Sequence, residues 1–274
     1  VSLDLAYTVT GIGPPVVILH GLYGSARNWR NVARKLSATH RVINVDLPNH
    51  GRSPAVGSMD YRTMAAAVLR VIERERLVAP ALLGHCIGGK TALTLALLEP
   101  ERIGSLIVVD VAPVDYGDHL ALFTDVLCGR DALGDDAHTG LWRRLSSLMP
   151  QWGVENEDGV ACLDWGADLP GIAASIPDLS GFPDELRTCC FAGPVRVIAG
   201  AHSRYVPEHD SGVFQPMFPE TALIVLDDAT HWAHVETPER FLVQVDAALR
   251  DAPADALADD YGFLRSLRSL HSLH

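Results

Sequence analysis

The chain has 274 residues, of which 48% are hydrophobic and 20% charged, enough to bury a large core in one domain or two small ones. This composition excludes a disordered chain, a collagen-like fibre and a coiled coil. Acidic residues outnumber basic ones, 34 to 22, for a net charge of −12, which disfavours a nucleic-acid partner because phosphate tracking needs clustered positive charge.

Short runs rich in Val, Ile and Leu recur at Val16–His20, Arg41–Asp46, Ala81–His85, Ser105–Asp110, Val195–Gly200 and Ala222–Asp227. Bounded by turn residues, they read as strands buried on both faces of a mostly parallel sheet. Helical periodicity falls between them, at Asn28–Ser37, Asp60–Arg74, Cys86–Leu98, Glu208–Pro216 and Thr237–Arg250. Strand and helix alternate, so the fold class is α/β, a central sheet flanked by helices.

One interval breaks this alternation. Between Pro113 and Thr188 no strand-like run occurs, and an insertion of that length predicts a helical cap rather than a structureless loop. The expected organisation is therefore a core over 1–112, a cap over 113–188, the second part of the core over 189–250 and a tail over 251–274. In the tail, Leu264, Leu267, Leu270 and Leu273 recur every third residue, the pattern of a packed or frayed terminal helix or of a basic amphipathic one.

No apolar run is long enough to span a bilayer, and the first residues, Val1-Ser2-Leu3-Asp4, carry no signal-peptide pattern. Five cysteines, Cys86, Cys128, Cys162, Cys189 and Cys190, show neither a disulfide framework nor zinc-ligand spacing, so the expectation is a reducing cytoplasm. The adjacent pair Cys189-Cys190 reads as two ordinary half-buried residues. No metal or organic cofactor is expected, since no ligand-spaced cluster or phosphate-cradling glycine loop occurs.

Three segments carry chemistry. Gly84-His85-Cys86-Ile87-Gly88 stands where a strand gives way to a helix and has the form G-x-Nuc-x-G, a nucleophile elbow with Cys where Ser is usual. A strained turn there aims the side chain outward, and the helix N-terminus favours a thiolate or an oxyanion. His20-Gly21-Leu22-Tyr23-Gly24 follows the first parallel strand and can supply one oxyanion-binding N–H, from Leu22, with the second from Ile87. His20 itself reads as structural, stapling its loop. His231, in Thr230-His231-Trp232-Ala233-His234 after the last strand, is the candidate base, with His234 its rival.

These segments resemble the α/β-hydrolase superfamily, and within it the YbfF-type bacterial esterases and their mammalian abhydrolase relatives. Asp46-Leu47-Pro48-Asn49-His50-Gly51-Arg52-Ser53 and Val109-Asp110-Val111-Ala112-Pro113-Val114-Asp115-Tyr116 also carry the likeness, which covers 1–116 and 194–250. The resemblance implies a triad acid. Superfamily members often place it after the strand Val195–Gly200, where this chain has Ser203, whereas the YbfF-like pattern puts it at Asp110. Glu208 and Asp210 are the alternatives, and Ser203 is expected to add a hydrogen bond.

The implied activity is acyl processing, an esterase- or thioesterase-like hydrolysis or acyl transfer through Cys86, His231 and Asp110. A lyase of secondary metabolism that uses the same groups as a base to expel acetate is one alternative. A non-catalytic ligand-binding member, or an esterase whose Ser was replaced by Cys, is another. Tyr23, Trp142 and Trp232, with the apolar cap residues Leu122, Phe123 and Met149, suggest a bulky, mainly apolar small molecule as substrate.

Overall fold

The computed structural model describes residues 3–117, 153–155, 161–163 and 167–251. Its main sheet has seven strands: β1 (Tyr7–Thr10), β2 (Pro15–Leu19), β3 (Arg41–Val45), β4 (Ala81–His85), β5 (Ser105–Val109), β8 (Val195–Gly200) and β9 (Thr221–Leu226). They lie in the order β1-β3-β2-β4-β5-β8-β9, with β1 antiparallel to β3 and all other pairs parallel.

The expected class is therefore the observed one. β4 and β5 are buried at every residue, and β2 at all but its first, which is why each reads as an unbroken apolar run. Two apolar layers cover the sheet. On one face α2 (Tyr61–Arg74) and α3 (Ile87–Leu98) contribute Met64, Val68, Leu93 and Ala96. On the other, α1 (Arg30–Leu36) and α6 (Pro238–Arg250) bring Val32, Leu36, Phe241 and Val245 against Trp29.

The sequence reading misses β1. Tyr7-Thr8-Val9-Thr10 is an edge strand with three exposed residues, so it lacks the apolar run that marks the inner strands. The predicted helix Glu208–Pro216 is a correction: this stretch forms two short 3₁₀ turns, Pro207–His209 and Ser211–Phe214. Glu208 and His209 take positive φ, and Asp210 caps the second turn through Gly212 N–H, so the chain turns twice where a helix would run straight. The predicted helix Thr237–Arg250 is found as α6, with Thr237 as its N-cap residue, preceded by a short α5 (Ala233–Glu236). Cys190 is exposed rather than half-buried; only Cys189 is intermediate.

The 113–188 interval is not free of strands. It contains a short antiparallel pair, β6 (Gly153–Glu155) with β7 (Ala161–Leu163), whose three-residue segments are too brief to leave a periodic signal. It also contains α4 (Leu169–Ser180), which opens on an Asp168 cap and buries Ile172, Ile176 and Leu179. α4 is hydrogen bonded to the core through Met59 N–H to Ser175 Oγ (2.8 Å) and Tyr61 OH to the Leu179 carbonyl (2.7 Å). Trp142, Trp152, Trp165, Leu122, Phe123, Met149 and the leucine-patterned tail lie outside the described residues. Among the described residues no helix is long and apolar enough to cross a membrane.

Candidate active site

The parallel strands end on one side of the sheet, and the loops leaving β2, β3, β4, β5, β8 and β9 gather there. Cys86 N–H is bonded to the Val109 carbonyl (3.1 Å) and Asp110 N–H to the Ile198 carbonyl (2.9 Å), so both residues are set by the ends of the sheet. Cys86 closes β4 with φ 52° and ψ −121° and is the residue from which α3 starts. That backbone is strained for a residue with a side chain, and the packing around it enforces the turn. A Cβ on Gly84 would lie 2.4 Å from the Gly88 carbonyl oxygen, and one on Gly88 would lie 2.4 Å from that of Leu19. The two glycines of the G-x-C-x-G pattern are thus demanded by close backbone approach.

Three predicted groups meet here. Cys86 is 6% exposed, and its thiol is under the influence of His231 and of the backbone N–H groups of Ile87 and Leu22, each of which favours the thiolate. His231 Nδ1–H donates to Asp110 Oδ2 at 2.7 Å. Asp110 is fully buried and is held further by Gly200 N–H on Oδ1 (3.0 Å) and by the Ser203 hydroxyl on Oδ2. Like Cys86, it has a positive φ, 50°. Glu208 and Asp210, the alternative acids, are exposed, and Asp210 instead accepts from Gly212 N–H.

His234, the rival base, is stacked on Trp29 with ring centroids 4.3 Å apart. Trp232 is half-buried, its ring 5.5 Å from that of His231. Tyr23 is 1% exposed and belongs to the apolar core that also holds Leu22, Cys86 and Ile87.

The electrostatics favour a charged pair. Burial pushes the Cys86 thiol up, but the charge and hydrogen bond of His231, aided by the N–H groups of Ile87 and Leu22, outweigh it and hold the thiol below its ordinary value. Burial pulls His231 down, yet the Cys86 thiolate and the Asp110 hydrogen bond together raise it to about 10. Both shifts place the proton on the imidazole.

Two other histidines shape the oxyanion loop. His20 accepts from Leu47 N–H on Nε2 (2.9 Å) and bonds the Gly21 carbonyl through Nδ1 (2.8 Å), a staple of the expected kind. His50 accepts from Tyr23 N–H on Nε2 (3.0 Å) and donates from Nδ1 to the Pro48 carbonyl (2.7 Å). Tyr23 takes φ 60°, and its bond to His50 fixes the peptide next to the Leu22 N–H. Beside them Asp46 accepts from Ala26 N–H (2.6 Å) and Arg52 N–H (3.2 Å), tying the β2 loop to the β3 loop.

Other contributors went unassigned in the sequence. His85 bonds the His231 carbonyl through Nε2 (2.9 Å), so the residue before the elbow anchors the residue that faces the thiol. Lys90, 1% exposed on α3, donates to the carbonyls of Val114 (2.7 Å), Ser180 (3.1 Å) and Gly181 (2.6 Å). His85 stands inside the quoted elbow and Lys90 two residues past it, but their partners are remote in the chain. Among the described residues no cluster of three or more His, Cys, Asp or Glu could hold a metal ion.

Comparison with known proteins bears on this arrangement. The family described as alpha/beta hydrolase fold matches residues 14–127. Esterase YbfF of Escherichia coli (strain K12) is 30% identical over 246 residues, covering 86% of this chain and 93% of that protein. The sn-1-specific diacylglycerol lipase ABHD11 of Mus musculus is also 30% identical, over 252 residues, covering 86% of this chain and 81% of that protein. Among solved structures, a marine microorganism esterase superposes with a TM-score of 0.77 at 27% identity, over 90% of this chain and 100% of that one.

Proposed function

This chain belongs to the α/β-hydrolase family, and from that premise we propose that it processes acyl groups through a covalent Cys86 thioester. The observation that carries the reading is the Asp110–His231 bond (2.7 Å) beside the strained turn that holds Cys86, with His231 and the N–H groups of Leu22 and Ile87 all acting to lower the Cys86 thiol. A nucleophile, its base and two oxyanion donors at a single point are what acyl transfer requires.

In this mechanism the thiol proton already rests on His231, and the Cys86 thiolate attacks the carbonyl carbon of the substrate. Charge gathers on the carbonyl oxygen, where the Leu22 and Ile87 N–H groups meet it. Collapse expels the leaving alcohol or thiol, which takes the proton from His231. Water or an acceptor alcohol then gives a proton to His231, attacks the thioester, and releases Cys86 as thiolate. Asp110 orients the imidazole and stabilises its protonated form without itself taking the proton.

The substrate class is a small-molecule ester or thioester with a bulky, mainly apolar acyl or alcohol part. The relatives are esterases and lipases by name, which supports the ester, and a thiolate exchanges readily with thioesters, which supports the second donor. We assign 113–188 to a cap over the site. Lys90 supports this, because it bonds Val114 near the start of that segment and Ser180 and Gly181 near its end. Trp142 and Trp232 remain the proposed substrate contacts, whereas Tyr23, 1% exposed, packs in the core instead. A working thiolate suits the reducing cytoplasm.

The test is steady-state turnover of aryl esters and acyl thioesters by the full chain beside Cys86→Ala, Cys86→Ser and His231→Ala. Loss of turnover by at least about 10³-fold in both Ala variants is expected. Undiminished kcat/KM in Cys86→Ala would overturn the covalent mechanism.

A further inference from the structure

The ring of Tyr205 lies stacked on the imidazole of His231, with centroids 4.0 Å apart and planes 29° from parallel. The two residues come from different loops, after β8 and after β9, and the Tyr205 backbone is fixed on both sides. Its carbonyl accepts the Tyr116 hydroxyl at 2.6 Å, and its N–H donates to Ser203 Oγ at 3.3 Å. The Tyr116 hydroxyl also accepts from Ala112 N–H at 2.8 Å, so it spans from the chain just past Asp110 to the loop carrying Tyr205. Ser203 in turn donates to Asp110. The carboxylate that holds one edge of His231 and the ring that covers a face of it are thus parts of one bonded unit.

We propose that Tyr205 is a positioning residue for His231: its ring fixes the plane of the imidazole and stabilises the protonated form through the electron-rich aromatic face. The stacking distance is that of a cation over an aromatic ring, and burial strengthens the attraction by removing water. The other groups facing His231 are Cys86 from the elbow, Asp110 from the end of β5, His85 from β4, and Trp232 and His234 from its own segment. His85 and His234 are pushed far toward the neutral form, chiefly by burial, so neither brings a full competing positive charge. Cys86 and Asp110 supply negative charge, and Tyr205 adds attraction from a direction that neither occupies.

The consequence for turnover rests on the proposed role of His231, but the stacking is read without it. The experiment follows the His231 ring by NMR of histidine-labelled full chain in the Cys86→Ala background, where no acyl-enzyme forms. Tyr205→Leu, Tyr205→Phe and Tyr116→Phe are titrated beside the parent, with His231 assigned by its loss in His231→Asn. Tyr205→Leu should lower the His231 titration point by roughly half to one pH unit, and Tyr205→Phe, which keeps the ring, should restore it. Tyr116→Phe, which removes a single hydroxyl, should give a smaller shift in the same direction and serves if Tyr205→Leu does not fold. Equal titration of the Leu and Phe variants, or an unshifted Tyr116→Phe where Leu does not fold, would overturn the proposal. Failure of the covalent mechanism would show separately, as turnover that survives Cys86→Ala.

Discussion

Asp110 and His231 stand 121 positions apart and meet at 2.7 Å, with the imidazole Nδ1–H on the carboxylate Oδ2. The bond joins the end of β5 to the loop after β9, across β8, and Ser203 at the end of β8 closes the gap by donating to the same oxygen. The familiar acid position thus holds a hydroxyl, and the carboxylate reaches His231 from one strand further in.

Replacing the acid tests this placement. Asp110→Asn keeps the size of the side chain but offers an amide where His231 needs an acceptor, which favours the wrong tautomer and removes support for the imidazolium. A fall in kcat of about 10³- to 10⁴-fold with a retained fold, judged by circular dichroism, is expected. Ser203→Ala should cost far less, on the order of tenfold, because the carboxylate keeps Gly200 N–H and His231. An Asp210→Asn variant that is as damaged as Asp110→Asn would reverse the assignment.

The Cys86–His231 pair predicts an unusual pH profile for thiol alkylation. The thiol lies below its ordinary value and His231 is raised to about 10, so the ion pair exists between those limits. Alkylation of Cys86 by iodoacetamide should therefore rise at lower pH than an ordinary thiol requires. In His231→Ala the charge and hydrogen bond are gone while burial remains, so the rate should climb through the alkaline range instead. Identical profiles for the two proteins would contradict the ion pair.

Acid should unfold this protein through its buried imidazoles. Burial lowers His20 to about 4, His50 to about 3 and His234 to about 3, and drives His85 well below its ordinary 6.5. Each is neutral in the fold and protonated in the unfolded chain over that window. The stability they allow is therefore complete above pH 6.5 and is lost as pH falls toward the folded values, at about 1.4 kcal/mol per pH unit for each fully differing proton. His231, raised to about 10 in the fold, acts in the opposite sense: its contribution is full below pH 6.5 and is lost as pH rises toward 10. The check is the urea midpoint at stepped pH, which should fall steeply between 6.5 and 5; a flat midpoint would refute this.

Lys90→Met replaces a buried ammonium by a side chain of similar length that cannot donate. The carbonyls of Val114, Ser180 and Gly181 then lose their shared partner, and a loss of about 2–4 kcal/mol is expected, read as a lower Tm. Burial draws Lys90 down to about 7, so Lys90→Arg is not a neutral exchange: it installs a cation that cannot shed its charge.

How much of this was legible in the sequence follows from distance along the chain. Strands buried on both faces announce themselves as apolar runs, and β4 and β8 have their predicted limits. The edge strand β1 is half solvated and leaves no such run. Cys86, Leu22, Ile87 and His231 were readable because each sits in a compact local pattern at a strand end. Tyr205 was not, since nothing in Ser203-Arg204-Tyr205-Val206 foretells that its ring will meet His231 on the loop after the next strand. Lys90, two residues past the elbow, carried no signal of its own; its partners lie up to 91 positions away. Local chemistry writes itself into sequence, whereas the contacts that hold it in place arise only once the sheet has formed.

The covalent step itself is tested most directly by intact-protein mass spectrometry after brief mixing with activated acyl esters and acyl thioesters, followed by acid quench. One acyl mass should appear on the native chain, map to Cys86 by peptide fragmentation, and be absent from Cys86→Ala. Turnover of the same donors with no acyl mass at Cys86, or with the mass retained in Cys86→Ala, would contradict the thioester mechanism.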